Sequence, residues 1–132
     1  MVLLDTNIFL EVFLNQEKAE ECALLLHQVE EGKIDALVTD YTIHSIGTII
    51  DAMGKGDLLP AIFASLSAFK SLTLIQANLE EQSEIATLIK DGLDFDDAYQ
   101  VYFAKRYNVP IVSFDKHLDK FLIRKTPKDA IP

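Results

Sequence analysis

Three aspartates, each bordering an apolar run or a helical pattern, are the residues of this chain best suited to catalysis. Asp5 follows the run Met1–Leu4, Asp97 lies at the start of a helical pattern, and Asp115 follows the run Pro110–Phe114. In an open parallel sheet the carboxyl ends of the strands lie along one edge, where ligands bind. Carboxylates that meet there repel one another unless a cation lies between them, and their oxygens favour Mg²⁺ or Mn²⁺. The three aspartates therefore predict a divalent-metal site and a hydrolase acting on phosphate esters.

The elements that would position these aspartates alternate between strand and helix, which is typical of βαβ units and a parallel sheet. Strands are predicted at Val2–Asp5, Ala36–Thr39, Leu72–Ile75 and Ile111–Phe114. Helices are predicted at Asn7–Leu14, Glu17–Gly32, residues 40 to about 53, Leu58–Phe69, Leu79–Lys90, Asp97–Tyr107 and Lys116–Leu122. Right-handed crossovers place the helices on both faces of such a sheet. The predicted fold is one three-layer αβα domain, residues 1–132, with a central parallel sheet of four to five strands.

The composition predicts a soluble globular domain. The chain has 132 residues, of which 49% are hydrophobic and 25% charged, and these are enough to bury a core. No apolar run approaches the roughly 20 residues of a membrane span, so no membrane partner is expected. No basic segment precedes the first apolar run, and the single cysteine, Cys22, excludes an internal disulfide. We therefore expect no signal peptide and a cytoplasmic location.

The charge is distributed unevenly along the chain. The net charge is −9, but residues 1–97 carry 5 basic and 18 acidic side chains, whereas residues 98–132 carry 7 basic and 3 acidic ones. The basic segment could hold a polyanion while the acidic part supplies the metal site. The alternative to a polyanion-binding segment is an ordinary solvent-exposed surface on which the basic residues have no common function.

Each aspartate also has a purely structural interpretation. Asp5 could form an Asx-turn with Asn7, and Asp115 could cap the short helix that follows it. Asp94 could be the N-cap of the helix that contains Asp97, with Asp97 at the third helical position. These structural roles are alternatives to the metal site. They would have to account for all three aspartates at once to make a metal site unnecessary.

Three segments, in this order and at this chain length, resemble the motifs of PIN domains. Leu3–Phe9 resembles their opening motif, Phe95–Gln100 their third acidic motif, and Val112–Lys116 their fourth. The 18-residue spacing between Asp97 and Asp115 and the overall length resemble the small VapC-type toxins of prokaryotic toxin–antitoxin pairs.

The resemblance implies a Rossmann-like, metal-dependent nuclease in which four acids bind Mg²⁺ or Mn²⁺ and activate water to cut RNA. It makes Asp5, Asp97 and Asp115 metal ligands or acids beside the ligands. It makes Asn7 and Ser113 groups that orient water or the ligand carboxylates. It also implies an RNA substrate, a cognate antitoxin protein and a homodimer.

The second acid of the motif set, usually a glutamate, is replaced here by Ser45. Asp40 lies more than one helical turn earlier and could substitute for it only if its loop folds back. Asp94 or Asp96 is a second possible donor. Two interpretations follow: an active endoribonuclease, or a non-catalytic PIN domain that binds RNA or protein.

A third interpretation is a small phosphatase or phosphotransferase with Asp5 as its nucleophile. Such enzymes carry an Asp-x-Asp pattern at this strand end, and Asn7 replaces its second aspartate.

The homodimer is also expected from apolar surface that one sheet could not cover. Some of the aromatic residues on the helical faces are expected to lie at a self-complementary interface, and these residues are Phe13, Phe63, Phe69, Tyr99 and Tyr102.

Overall fold

The computed structural model describes residues 1–132, apart from the side chain of Asp91. Five strands form one all-parallel sheet in the order β3-β2-β1-β4-β5. The strands are β1 Val2–Leu4, β2 Ala36–Thr39, β3 Leu72–Ile75, β4 Ile111–Val112 and β5 Arg124–Lys125. The prediction of a three-layer α/β fold around a parallel sheet of four to five strands is confirmed.

Seven α-helices flank the sheet: α1 Thr6–Phe13, α2 Ala19–Glu30, α3 Asp40–Ala52, α4 Leu59–Ser67, α5 Leu79–Thr87, α6 Phe95–Tyr107 and α7 Pro127–Ala130. Three 3₁₀ helices cover Gly56–Leu58, Leu88–Asp91 and Lys116–Lys120. None of the described helices combines the length and apolar character needed to cross a membrane.

The sheet order places a topological switch point between β1 and β4. From β1 the chain continues to β2 on one side, and β4 later pairs with the other side of β1, with Leu3 opposite Ile111. Ligands of open α/β sheets bind outside the carboxyl ends of the strands at such a point. Asp5 and Asp115, which follow β1 and β4, therefore lie where a ligand would bind.

A separate apolar core packs on each face of the sheet. Leu4 belongs to the core that contains Phe9 and Cys22, whereas Leu3 belongs to the core formed with α6. Successive side chains of a strand point to opposite faces. Because the backbone stays extended at Asp5, its side chain lies on the same face as Leu3, towards α6. The single cysteine, Cys22, is buried in the first of these cores.

The largest departures from the predicted elements lie after β4. The predicted strand Ile111–Phe114 ends at Val112, and the predicted helix Lys116–Leu122 is a 3₁₀ helix ending at Lys120. The strand shortens because the Ser113 hydroxyl accepts a hydrogen bond from the backbone of Asp115 and turns the chain. Strand β5 and helix α7 were not predicted individually.

Candidate active site

Asp5 is held by three hydrogen-bond donors from three parts of the fold. Its Oδ1 accepts from the backbone amide of Thr6 at 2.8 Å and from Nε2 of Gln100 at 3.1 Å. Its Oδ2 accepts from Oγ of Ser113 at 2.7 Å. Asp5 is thus the N-cap of α1, through Thr6 rather than the expected Asn7, but capping uses one of the three contacts. The remaining two fix its carboxylate at the sheet edge.

Ser113 links the first and last parts of the site. It is fully buried, and while its hydroxyl donates to Asp5 it accepts from the backbone amide of Asp115 at 3.0 Å and from Nδ2 of Asn7 at 3.3 Å. Oδ1 of Asn7 is buried and accepts no hydrogen bond from the described residues. The structure therefore brings Asn7 and Ser113 together beside Asp5.

Asp97 lies in the first turn of α6. Asp94 is the N-cap, and its Oδ1 accepts from the backbone amide of Asp97 at 2.8 Å, as the structural interpretation predicted. The Asp97 side chain remains 28% exposed. Burial raises its pKa above the ordinary value, and the negative charges of Asp94, Asp115 and Asp5 raise it further. The predicted aspartates are therefore close enough to repel one another.

Asp115 caps the 3₁₀ helix that follows β4. Its Oδ1 accepts from the backbone amide of His117 at 3.0 Å, which is the predicted structural role. Nε2 of His117 lies 4.0 Å from Oδ2 of Asp97, so this turn folds back towards the start of α6.

Gln100 is a site residue that the sequence motifs did not single out. It is 2% exposed, and its Nε2 donates to Asp5 and to Oγ1 of Thr42, both at 3.1 Å. Its Oε1 accepts from Oγ1 of Thr39 at 3.0 Å. The only sequence signal was an amide on an otherwise apolar helix face, three residues after Asp97.

Ser45 lies on α3, one turn after Tyr41. Burial raises the pKa of Tyr41, a hydrogen bond with Ser45 opposes the rise, and the charges of Asp96 and Asp5 add to it. Asp96 and Asp5 are therefore near enough to Tyr41 for their charges to act on it. The assignment of position 45 to the missing acid stays a prediction.

Asp40 does not fold back to replace that acid. It is the first residue of α3, and its Oδ1 accepts from the Tyr99 hydroxyl at 2.6 Å and from the backbone amide of Tyr41 at 3.0 Å. Burial and the bond to Asp40 raise the pKa of Tyr99 to about 12, so the phenol keeps the proton that it donates. Asp40 serves to hold Tyr99.

The donor set suits a hard divalent cation by its chemistry. Asp5 and Asp115 supply carboxylates whose charges repel that of Asp97, and Asn7 supplies a buried oxygen without a hydrogen-bond partner among the described residues. Among the described residues, however, no group of three or more His, Cys, Asp or Glu side chains is arranged to hold a metal ion. An ion bound here would therefore have to draw the more exposed carboxylates towards Asp5.

A profile of the PIN domain matches residues 2–122, which is most of the chain. The protein belongs to the PIN domain family. No curated protein matches it significantly in sequence.

Solved structures of low sequence identity share its fold. VapC20 of Mycobacterium tuberculosis, a toxin that cleaves the sarcin–ricin loop, is 8% identical, with a TM-score of 0.75 over 91% of this chain and 94% of its own. VapBC2 of Rickettsia felis, bound to promoter DNA, is 16% identical, with a TM-score of 0.69 over 96% and 98%. A toxin–antitoxin complex from Klebsiella pneumoniae is 15% identical, with a TM-score of 0.69 over 96% and 98%.

Proposed function

We propose that this protein is a Mg²⁺- or Mn²⁺-dependent endoribonuclease and the toxin of a toxin–antitoxin pair. The observation that carries the proposal is the meeting of β1, β4 and α6 at one sheet edge. There Ser113 contacts both the Asp5 carboxylate and the Asp115 backbone, and the charges of Asp5 and Asp115 act on Asp97. The PIN family and the toxin–antitoxin structures that share the fold support the same function.

Asp5, Asp97 and Asp115 would hold the metal ion, with Asn7 and Ser113 keeping the carboxylates in place. A bound Mg²⁺ or Mn²⁺ lowers the pKa of water and polarises a phosphodiester. Because Asp5 is fixed by three donors, the chain itself contributes a preformed ligand rather than one that must be ordered on binding.

Lysines beside the site would hold the RNA backbone. Lys116 directly follows Asp115, and Lys120 lies in the same 3₁₀ helix. Arg124 has a structural role instead, since its guanidinium donates to both carboxylate oxygens of Asp119 and to the backbone carbonyl of Ser113. The phosphate contacts are therefore assigned to the lysines.

The decisive experiment is RNA cleavage titrated with Mg²⁺ and with Mn²⁺, using purified protein and its Asp5→Asn variant. We expect metal-dependent cleavage by the unaltered protein and its loss in Asp5→Asn. Asp57→Asn is the matched control, because Asp57 is exposed and follows the far end of α3. Equal cleavage by Asp5→Asn would point to a contaminating nuclease.

The second candidate is a non-catalytic PIN domain that binds RNA or protein. Two observations favour it: a serine, Ser45, where the motif set has its second acid, and the lack, among the described residues, of three or more His, Cys, Asp or Glu side chains arranged to hold a metal ion. RNA that is bound but not cut at saturating Mn²⁺ would identify this function.

We assign the protein a homodimeric state, with the second copy on the free edge of the sheet. Strand β3 pairs only with β2 among the described strands, and Leu74 on this edge is 56% exposed. A groove of about 760 Å³, lined by Ile43 and Phe63, adjoins it. Tyr99, which the sequence placed among the interface aromatics, is instead buried in the core.

Light scattering tests this pairing. We expect a dimer for the unaltered protein and a shift towards monomer in Leu74→Lys. Leu79→Lys is the matched control, because Leu79 is 89% exposed on α5. A monomer at roughly tens of micromolar, the range of weak interfaces, contradicts the proposal.

A further inference from the structure

We infer that Gln100 is a positioning residue for Asp5: it fixes the Asp5 carboxylate and holds α6, which carries Asp97, at a set position against β1. The inference rests on the proposed metal site and deepens it. Asp97 and Gln100 are three residues apart on one helix, so they lie on neighbouring turns of the same face. Asp97 stays partly exposed at the site, whereas Gln100 lies beneath it.

The hydrogen bonds of Gln100 leave it one orientation. A primary amide has two N–H donors, and both are used, one on Asp5 and one on Thr42. Its oxygen accepts from Thr39, whose own oxygen accepts from the backbone amide of Thr42. A flipped amide would place its oxygen against the Asp5 carboxylate and its N–H groups against Thr39. The Asp5 carboxylate, which can only accept, therefore sets the direction of the amide, and the Nε2 bond in turn holds the carboxylate.

A buried neutral donor suits this task better than a cation would. An arginine or lysine at this position would neutralise Asp5 and weaken its attraction for a metal ion. An amide orients the carboxylate and leaves its full charge for a metal ligand. Groups that hold metal-binding carboxylates typically change metal affinity by about tenfold to a hundredfold when removed.

The test compares Gln100→Met with Thr42→Val. Methionine has nearly the same shape but no donor, so Asp5 loses one bond. Valine at position 42 removes a buried hydroxyl from the same network and leaves the bond between Gln100 and Asp5 in place. Both variants should lower the melting temperature, so stability alone cannot separate a positioning role from a structural one.

The separating measurements are the Asp5 side-chain rotamer, from NMR couplings in metal-free protein, and the Mn²⁺ dissociation constant, from calorimetry. We expect one rotamer in the unaltered protein and in Thr42→Val, and rotamer averaging in Gln100→Met. The Mn²⁺ dissociation constant should rise about tenfold in Gln100→Met and less than about twofold in Thr42→Val. Equal effects of the two variants, or no effect of Gln100→Met, overturn the inference.

Two further measurements decide the question if Mn²⁺ binding or the folding of a variant fails. If the unaltered protein binds no Mn²⁺, the proposed function fails, but the Asp5 rotamer in metal-free protein still decides the role of Gln100. If Gln100→Met does not fold, proton exchange of the Gln100 amide in the unaltered protein takes its place. Slow exchange of both Nε2 protons supports the two bonds, and fast exchange of either overturns the inference.

Discussion

Asp5 and Asp97 face the same sheet edge, but the structure surrounds their carboxylates differently. Three donors fix Asp5, and two of them, on Gln100 and Ser113, are buried. The carboxylate of Asp97 is 28% exposed, lies 4.0 Å from His117 and is repelled by its acidic neighbours. The site thus combines one carboxylate held by buried donors with one that is partly exposed, and Asp115, the cap of a 3₁₀ helix, belongs with the second kind.

This difference indicates that folding alone sets the position of the Asp5 carboxylate, whereas a bound ligand would set the positions of the Asp97 and Asp115 carboxylates. The bonds of Asp5 form when β1, β4 and α6 pack, so its position is part of the fold. Asp115 is held by a local cap, and Asp97 is repelled by its acidic neighbours, a repulsion that a bound cation would reverse. Each kind of carboxylate can be tested by removing it.

The largest effect on stability is expected for Asp5→Ala. The change leaves the buried donors of Gln100 and Ser113 without their acceptor, and each such donor costs about 1–3 kcal/mol. We therefore expect a loss of about 3 kcal/mol in the free energy of unfolding, measured by urea denaturation. Asp115→Ala, which removes only a cap, should cost about 1 kcal/mol. Equal losses for the two variants would remove the distinction between a carboxylate held by buried donors and one held only by a local cap.

The second-largest expected effect is the stabilisation of the folded protein by Mg²⁺ or Mn²⁺. A cation bound only by the folded protein adds about 2.7 kcal/mol at a concentration one hundred times its dissociation constant. The melting temperature should therefore rise with metal, and the rise should shrink in both Asp5→Asn and Asp97→Asn but not in Asp57→Asn. The absence of a shift at millimolar metal (roughly a hundredfold above a tight site) counts against the metal site.

Ser45→Glu should restore the fourth acid. An added carboxylate raises the affinity for a hard cation but adds repulsion in its absence. We expect metal binding tighter by about one to a few kcal/mol, lower stability without metal, and faster RNA cleavage. Asp40→Asn should leave metal binding unchanged, because Asp40 is held by Tyr99. The reverse pattern in calorimetry would show that Asp40, not position 45, contributes to the site.

The smallest effect is a pH dependence at Asp97. Because its pKa is raised, the folded protein holds this proton more tightly than the unfolded chain. Raising the pH above the ordinary value of 3.8 towards the raised pKa therefore lowers the stability of the metal-free protein. Asp97→Asn lacks this loss, so its stability relative to the unaltered protein should increase across that interval and then level off.

Asp119→Asn is a control of opposite sign for this measurement. Hydrogen bonding to Arg124 lowers the pKa of Asp119, so its ionised form stabilises the folded protein. The stability of Asp119→Asn relative to the unaltered protein should therefore fall as the pH rises towards 3.8 from below. A shift of the same sign in both variants would show that overall charge, rather than local surroundings, governs the effect.

Local signals in the sequence located most of the fold and the aspartates of the site. Strand β3 and the cap Asp94 were predicted because apolar runs and capping residues depend only on near neighbours. Gln100 was not predicted as a site residue, because its partners Thr39 and Asp5 lie 61 and 95 residues away. Strand β5, Arg124–Lys125, was missed because two charged residues carry no apolar pattern, and pairing with β4 alone defines it.

The bond between Ser113 and Asp5 spans 108 residues of sequence. Because synthesis proceeds from the N-terminus, the first strand leaves the ribosome long before its partner at position 113 exists. Closing so long a loop is slow compared with forming the local helices between its ends. The bond that Ser113 gives to Asp5 therefore cannot form until most of the chain has been made. A nascent chain that has already formed its first helices still lacks this bond, so under the proposed function nuclease activity would begin only with the nearly complete protein.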